Sequence, residues 1–154
     1  MRLEEKIAKT LLKHSKTLSI AESCTGGLLT HRLTNIPGSS GFLMATVVCY
    51  SNQSKTRILQ VPSVLIKKYG AVSMPVAKRM AQGVRRILNT DFAVSITGIA
   101  GPDGGTTQKP VGLTFIAIAN RQKVICQQKI FKGNRLRVKK QATDHALKLL
   151  AKFL

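Results

Sequence analysis

Residues 18–27 constrain the fold more than any other stretch of this chain, because an apolar segment there runs into a glycine turn and then into a helical pattern. Residues 18–21 predict a short buried strand, and Gly26 and Gly27 let the backbone turn sharply after it. A strand that leads directly into a helix N-terminus commonly binds anionic groups in open α/β sheets. The stretch therefore predicts an α/β fold with a ligand at this turn.

Helical and strand patterns alternate along the rest of the chain, and a strand hairpin follows late. Amphipathic or capped segments predict helices over residues 3–16, 25–35, 51–59, 62–68, 74–88 and 134–153. Apolar runs predict further strands over residues 42–50, 92–99, 111–119 and 124–131. We expect the strand over residues 42–50 to be buried. This order predicts a three-layer α/β/α sandwich with a mostly parallel, mixed sheet. We expect residues 1–154 to form a single domain, since no linker or internal repeat divides the chain.

The charge of the chain is unusual, with 25 Lys and Arg residues against 6 Asp and Glu residues and a formal net charge of +19. Such a balance attracts polyanions without specifying one of them. Aromatic residues make up only 5% of the chain and are not interleaved with basic residues in the way that stacks nucleic-acid bases. A basic nucleic-acid-binding protein therefore stays open as an alternative that the sequence does not favour.

Membrane proteins and metalloproteins are disfavoured by the same composition. No apolar run approaches the length of a membrane span, and the N-terminus is charged rather than an apolar signal segment. Cys24, Cys49 and Cys126 lack metal-ligand spacing, and their odd number suits reduced thiols. We therefore expect a cytoplasmic protein with no membrane partner and no metal.

Two nucleophiles compete at the glycine turn, namely Ser23 and Cys24. Cys24 near a helix N-terminus could have a lowered pKa, whereas Ser23 needs a general base. The histidines lie in predicted helices and offer no Ser-His-Asp triad, but Lys55 follows the strand of residues 42–50 and could face the same cleft. Two purely structural alternatives stay open. The polar residues of the turn could serve only to cap the helix, and Lys55 could be one of many surface lysines.

A second rich stretch, residues 95–106, has four glycines within eight positions after an apolar strand. Such a loop lets a ligand approach the backbone closely. The loop matches neither the Walker P-loop nor the dinucleotide-binding glycine motif, which argues against ATP and dinucleotides. Lys109, at the end of this stretch, could reach a phosphate or could simply be solvated. Turn chemistry alone explains Asp103.

Five motifs follow one another along nearly the whole chain. They are Ala-Glu-Ser-Cys-Thr-Gly-Gly at 21–27, Pro-Gly-Ser-Ser at 37–40, Tyr-Ser-Asn-x-x-Lys at 50–55, Gly-Ala-Val-Ser at 70–73 and the glycine-rich segment at 97–112. In this order they resemble the pattern of the CinA C-terminal domain family. The Gly-x-Arg segment at 133–135 is similar to the one that closes the family pattern. The chain departs from the family at residues 44–49, where members often have glycines and a threonine.

The resemblance implies an α/β/α domain that is similar to the stand-alone nicotinamide-nucleotide amidases of this family. These enzymes hydrolyse nicotinamide mononucleotide to nicotinate mononucleotide and ammonia in pyridine-nucleotide salvage, without a metal. The resemblance further implies a small-molecule nucleotide substrate, no cofactor and a homo-oligomer. A catalytically inactive relative that binds a nucleotide stays open as an alternative.

At the matching positions, the resemblance implies Ser23 as the nucleophile and Lys55 as its general base. Backbone N–H groups at Thr25, Gly26 and Gly27 would stabilise the oxyanion. Glu22 would orient Lys55 or pair with a basic neighbour. The remaining implied substrate contacts are Ser39, Ser40, Gly101, Gly104, Gly105, Thr106 and Arg135 for the phosphate and ribose, and Tyr50, Ser73 and Thr97 for further hydrogen bonds.

Overall fold

The computed structural model of the protein describes residues 1–154 and contains one five-stranded sheet. The strands are β1 (Leu18–Glu22), β2 (Leu43–Val48), β3 (Phe92–Gly98), β4 (Leu113–Ala119) and β5 (Val124–Ile130). The α-helices are α1 (Leu3–Lys13), α2 (Leu28–Thr34), α3 (Asn52–Arg57), α4 (Ser63–Tyr69), α5 (Met74–Ile87) and α6 (Arg135–Phe153), and a short 3-10 helix spans Ser39–Gly41. Every predicted helix and strand is present, with bounds that differ by a few residues.

The sheet order is β2-β1-β3-β4-β5, and β1 is parallel to both of its neighbours. β4 is antiparallel to β3 and to β5, so the late hairpin makes the sheet mixed. Parallel strands need a crossover connection, which α2 provides between the neighbours β1 and β2. The segment α3 to α5 provides it between β2 and β3, which lie on either side of β1. The predicted mixed α/β/α sandwich is confirmed.

Helices cover both faces of the sheet. α1, α2 and α6 pack on one face, through a core that includes Ile20, Leu29 and Val138. α5 packs on the other face, where Met80 and Val84 are buried. No helix of the protein combines the length and the apolar character that crossing a membrane requires.

Gly83 lets α5 approach the turn that follows α3. A Cβ atom at this position would lie 2.0 Å from the carbonyl oxygen of Leu59, which is too close for any side chain. In the same turn, Val61 N donates to the carbonyl oxygen of Lys55 at 3.1 Å. The close packing of α5 therefore helps to fix the backbone of α3.

The three parallel strands end at one edge of the sheet, which we call the carboxyl edge. Glu22 at the end of β1 pairs with Val48 of β2 and with Ile96 of β3. The loops that follow these strands consequently lie side by side, as they do around ligand sites in open α/β sheets.

β2 is an edge strand, which corrects the expectation of a buried strand over residues 42–50. Met44 and Val48 are 38% and 48% exposed, and Tyr50, beyond the end of the strand, is 60% exposed. β2 pairs only with β1, so one side of the strand has no neighbour. Its apolar run is typical of a central strand, and position in the sheet is not visible from such a run.

Candidate active site

Ser23 lies directly after β1, and the side chain of Lys55 reaches it from α3. Lys55 Nζ is 3.0 Å from Ser23 Oγ, within hydrogen-bond distance. α3 begins at the carboxyl edge because Ser51 caps it, with its Oγ accepting a hydrogen bond from Ser54 N at 3.0 Å. Ser23 and Lys55 thus meet in a cavity of about 280 Å³.

Lys55 is buried, with only 1% of its surface exposed. Its Nζ lies 2.8 Å from the carbonyl oxygen of Cys49, and no carboxylate lies within ion-pair distance. Burial without a counter-ion disfavours the ammonium form and lowers the pKa of Lys55. A neutral amine has a lone pair that can accept the hydroxyl proton of Ser23, as a general base must.

Glu22 caps α2 and does not contact Lys55. A carboxylate at a helix N-terminus is stabilised by the free backbone N–H groups and by the helix dipole. The expectation that Glu22 orients Lys55 or pairs with a basic neighbour is therefore corrected. The carboxylate accepts five hydrogen bonds of 2.6–3.1 Å, donated by Thr25 Oγ1, Gly27 N, Leu29 N, Thr30 N and Thr30 Oγ1.

The turn between β1 and α2 leaves only one of the three expected oxyanion donors, the N–H group of Thr25, without an acceptor in the chain. The N–H groups of Gly26 and Gly27 already donate within the turn, at 3.1 Å each. The backbone N–H groups of Cys24 and Thr25 donate to no other residue of the chain. These two groups follow Ser23 directly, but only Cys24 lines the cavity, so the N–H group of Cys24 is the free donor available to an oxyanion beside Ser23.

Cys24 lines the cavity, but its thiol is not activated. Burial raises the pKa of the Cys24 thiol to about 11, the opposite of the lowering expected at a helix N-terminus. The N–H groups at the start of α2 are directed to Glu22 and so do not stabilise a Cys24 thiolate. Because the thiol stays protonated near neutral pH, Ser23 with Lys55 is the better nucleophile.

The glycine-rich loop after β3 forms another wall of the cavity. The backbone N–H groups of Ala100, Gly101, Asp103 and Gly104 donate to no acceptor in the chain. Gly101 has a φ of +80°, and a Cβ atom there would lie 2.5 Å from Val111 Cγ1. Free N–H groups on such a loop can bind an anionic group of a ligand.

Arg135, the first residue of α6, links this loop to the opposite wall. Its Nη1 donates to the carbonyl oxygen of Gly101 at 2.7 Å, and its Nη2 donates to the hydroxyl of Tyr50 at 2.8 Å. A guanidinium beside free backbone N–H groups suits a phosphate, because it can donate two parallel hydrogen bonds.

The cavity contains seven of the fifteen predicted site residues, and eight lie outside it. The residues that line it are Ser23, Tyr50, Lys55, Thr97, Gly101, Gly104 and Arg135. The residues that do not line it are Thr25, Gly26, Gly27, Ser39, Ser40, Ser73, Gly105 and Thr106.

Ser39 and Ser40 lie at the opposite edge of the sheet from Ser23. They form the 3-10 helix just before β2, whereas Ser23 follows the far end of β1, and the two strands run parallel. The expected contact of these serines with the nucleotide is therefore corrected, because the length of a strand separates them from the cavity.

Ser73 and Thr97 both bind the backbone of the turn between α4 and α5. Ser73 Oγ donates to the carbonyl oxygen of Gly70 at 2.8 Å, and Thr97 Oγ1 donates to that of Ala71 at 3.0 Å. These bonds hold the turn against β3, so that Ala71 and Val72 line the cavity. Ser73 does not line the cavity, because its hydroxyl is engaged with the carbonyl oxygen of Gly70.

Local contacts also explain why the end of the glycine-rich stretch lies outside the cavity. Thr106 Oγ1 accepts a hydrogen bond from Lys109 N at 3.0 Å, and Lys109 Nζ donates to the carbonyl oxygen of Tyr69. Gly105 packs on Val111, whose Cγ2 would lie 2.8 Å from a Cβ atom at position 105. Lys109 thus connects the loop to the end of α4. Because its Nζ is engaged there, the expectation that Lys109 could reach a phosphate is corrected.

Sequence reasoning missed two groups of the site. Asn52 lines the cavity, and its place in the Tyr-Ser-Asn motif was the signal that could have identified it. The carbonyl oxygen of Cys49, which holds Lys55 Nζ, has no sequence signal because any residue type offers the same atom.

Asp103 is the only carboxylate on the cavity wall. No group of three or more His, Cys, Asp or Glu residues that could hold a metal ion is found in the protein.

Together, the fold and the site define an α/β protein with a serine and a buried lysine paired at the carboxyl edge of its sheet. The family model of the CinA C-terminal domain matches residues 1–154. The chain belongs to the CinA C-terminal domain family.

Two curated relatives illustrate this membership. The chain is 49% identical over 153 residues to a CinA-like protein from Syntrophus aciditrophicus, a match that covers 99% of this chain and 36% of the relative. It is 47% identical over 152 residues to a CinA-like protein from Dictyoglomus thermophilum, covering 99% of this chain and 37% of the relative. The chain thus spans little more than a third of the length of these relatives.

Solved structures of the superfamily have the same fold. A competence-damaged protein (CinA) superfamily protein from Escherichia coli superposes with a TM-score of 0.94 at 31% identity, over 99% of this chain and 91% of that one. A competence/damage inducible protein from Agrobacterium tumefaciens superposes with a TM-score of 0.91 at 34% identity, over 99% of this chain and 96% of that one.

Proposed function

We propose that this protein is an amidase that hydrolyses nicotinamide mononucleotide to nicotinate mononucleotide and ammonia. The observation that carries the proposal is the 3.0 Å contact between Lys55 Nζ and Ser23 Oγ, made by a buried lysine that has no counter-ion. The motif resemblance to nicotinamide-nucleotide amidases supports the choice of substrate.

In the first half of the reaction, Ser23 Oγ attacks the carboxamide carbon while Lys55 Nζ accepts the hydroxyl proton. The carbonyl oxygen becomes an oxyanion, for which the free N–H group of Cys24 at the cavity wall is an available donor. Lys55 then gives the proton to the amide nitrogen, the carbon–nitrogen bond breaks and ammonia leaves. An ester of the nicotinoyl group with Ser23 remains.

In the second half, the neutral Lys55 amine accepts a proton from a water molecule, whose oxygen attacks the ester carbon. The bond to Ser23 Oγ breaks, and Lys55 returns the proton to that oxygen. Each turnover consumes one water and releases one ammonia and one nicotinate mononucleotide.

The walls of the cavity offer complementary contacts for the rest of the nucleotide. Its phosphate would bind Arg135 and the free N–H groups between Ala100 and Gly104. The hydroxyl of Tyr50 accepts a hydrogen bond from Arg135 Nη2 at 2.8 Å. The aromatic ring of Tyr50 is exposed and available to contact the pyridine ring or the ribose. A bound phosphate would compete with Gly101 and Tyr50 for the Arg135 guanidinium.

The test is to incubate the purified protein with nicotinamide mononucleotide and to measure ammonia and nicotinate mononucleotide together. We expect the two products in equal amounts from the wild type and a loss of at least about a thousandfold in kcat for Ser23→Ala. Ser40→Ala is the matched control, because it removes the same hydroxyl at the opposite edge of the sheet, and it should keep the wild-type rate.

Two results would contradict the proposal. Folded wild-type protein that binds the nucleotide in calorimetry but releases no ammonia would be a nucleotide-binding protein without amidase activity. Full activity in Ser23→Ala would exclude Ser23 as the nucleophile.

A further inference from the structure

A basic groove, separate from the catalytic cavity, lies between α5 and the turn that connects β4 to β5. Two adjoining cavities of about 270 and 390 Å³ share Gln82 and Val124 as lining residues and so form one continuous depression. We call it the α5 groove. Its basic lining residues are Lys78, Arg79, Arg85, Arg86, Arg121 and Lys123.

No carboxylate neutralises the α5 groove. The chain has no Asp or Glu between Glu22 and Asp91 and none between Asp103 and Asp144, so the groove residues have no acidic neighbours in sequence. No carboxylate lines either cavity, and the ion pairs of the protein involve none of the six basic groove residues. The groove therefore has a concentrated and uncompensated positive charge.

The spacing of the bases on α5 places them in two rows that run side by side along the helix. Lys78 and Arg85 are seven residues apart, as are Arg79 and Arg86, which is close to two helical turns and about 10 Å along the axis. Two pairs of cations thus follow each other on the outward side of the helix, opposite the buried Met80 and Val84. None of them lines the catalytic cavity, so amide hydrolysis does not account for them.

We propose that the α5 groove binds the phosphodiester backbone of a nucleic acid. Four of its six bases are arginines, which bind phosphate through paired hydrogen bonds. No aromatic side chain lines the groove to stack on a base, so recognition is independent of sequence. A concave groove fits a chain of phosphates better than it fits the flat surface of an anionic bilayer.

The test measures binding of a fluorescein-labelled 20-nucleotide oligothymidylate by anisotropy over a range of NaCl concentrations. The groove variant combines Lys78→Gln, Arg79→Gln, Arg86→Gln and Arg121→Gln, four side chains that make no hydrogen bond or ion pair. The control variant combines Lys6→Gln, Lys9→Gln, Lys13→Gln and Lys148→Gln, which remove the same charge from the exposed side of α1 and α6. Thermal unfolding and ammonia release verify that both variants are folded.

We expect the groove variant to lose at least about tenfold in affinity, with a salt slope reduced by about 0.7 for each phosphate contact removed. The control variant should keep its affinity within about threefold, since distant exposed charges are screened. Equal losses in both variants would show attraction by net charge alone and would overturn the groove. Tight binding of wild type to phosphatidylglycerol vesicles, lost in the groove variant while oligonucleotide binding is unchanged, would assign the groove to a membrane and also overturn the proposal.

Discussion

Lys55 is the residue whose surroundings determine the chemistry of the cavity. A buried lysine without a carboxylate destabilises a folded protein, because its ammonium form loses hydration and gains no counter-ion. Its contacts are the Ser23 hydroxyl and a backbone carbonyl oxygen, both of which a neutral amine can satisfy. A neutral lysine beside a serine is what a Ser-Lys hydrolytic site requires.

We expect amidase activity to rise with pH, because only the deprotonated Lys55 can accept the Ser23 proton. Since burial lowers the pKa of Lys55, the midpoint of the rise should lie below about 10.4, the ordinary lysine value. The measurement is kcat at saturating substrate as a function of pH, which removes effects of substrate ionisation on binding. A kcat that falls as pH rises from about 6 to 9 would contradict a neutral lysine base.

Cys24 is the residue that most resembles an alternative nucleophile. Because burial raises the pKa of its thiol to about 11, we expect Cys24→Ala to keep kcat/KM within about threefold of wild type. Steady-state ammonia release measures this. Complete loss of activity in a variant that unfolds at the wild-type temperature would restore the cysteine mechanism.

At the residue level, side-chain chemistry was more predictable than backbone roles. The rule that parallel strands end at one edge suggested that Lys55 could face the same cleft as Ser23, and in the structure Lys55 Nζ lies 3.0 Å from Ser23 Oγ. The N–H groups of Gly26 and Gly27, two of the three expected oxyanion donors, are engaged within the turn, because its closure directs them to Ser23 and Glu22. Such bonds have no signature in the sequence.

At the level of elements, the residue that caps α2 stabilises the fold and also shapes the turn that carries Ser23. Glu22 ends β1, binds the first N–H groups of α2 and thereby shapes the turn that presents Ser23. Glu22 is one of only six acidic residues in the chain, and it is buried, so it does not neutralise the basic surface. The capping role accounts for the acid of the Glu-Ser-Cys-Thr-Gly-Gly motif without direct participation of Glu22 in catalysis.

We expect Glu22→Gln to destabilise the protein by about 1–3 kcal/mol, since an amide group would face backbone and hydroxyl donors with an NH₂ in place of one oxygen. Urea unfolding followed by circular dichroism measures the change in the free energy of unfolding. Glu5→Gln is the matched control, because Glu5 caps α1 with an exposed carboxylate that accepts hydrogen bonds from Arg2 N and Arg2 Nε. Its effect should be much smaller, since solvent can replace these exposed contacts. Equal effects of the two substitutions would contradict the capping role.

The order of elements was predictable, but their positions in the sheet were less so. Periodicity and turn residues located all the helices and strands, because these signals are local. The exposure of β2 and the distance of Ser39 and Ser40 from the cavity depend on strand order and direction, which connect residues far apart in sequence. A motif that is close to the site in sequence can thus lie a strand length away in space.

For the whole molecule, most of the positive charge is not compensated by ion pairs. Ion pairs involve Arg2, Lys16, Arg32 and Lys140 among the 25 Lys and Arg residues, so most cations have no acidic partner. Unpaired like charges repel one another and disfavour the compact state. The same excess makes the α5 groove attractive to polyanions.

We expect the unfolding temperature to rise when NaCl is increased from about 50 to 500 mM, because salt screens this repulsion over distances beyond a Debye length. Scanning calorimetry measures it, with NaCl rather than sulfate so that general salting-out does not contribute. An unfolding temperature that falls with NaCl would mean that favourable ion pairs outweigh the repulsion.

The joint action of Ser23 and Lys55 is tested most directly by kcat/KM for ammonia release from four proteins: wild type, Ser23→Ala, Lys55→Ala and the double variant. Groups that act as a unit are not additive, so each single variant should lose at least about a hundredfold and the double variant little more than Ser23→Ala alone. Losses that multiply in the double variant, or a single variant with wild-type activity, would contradict a Ser23–Lys55 pair.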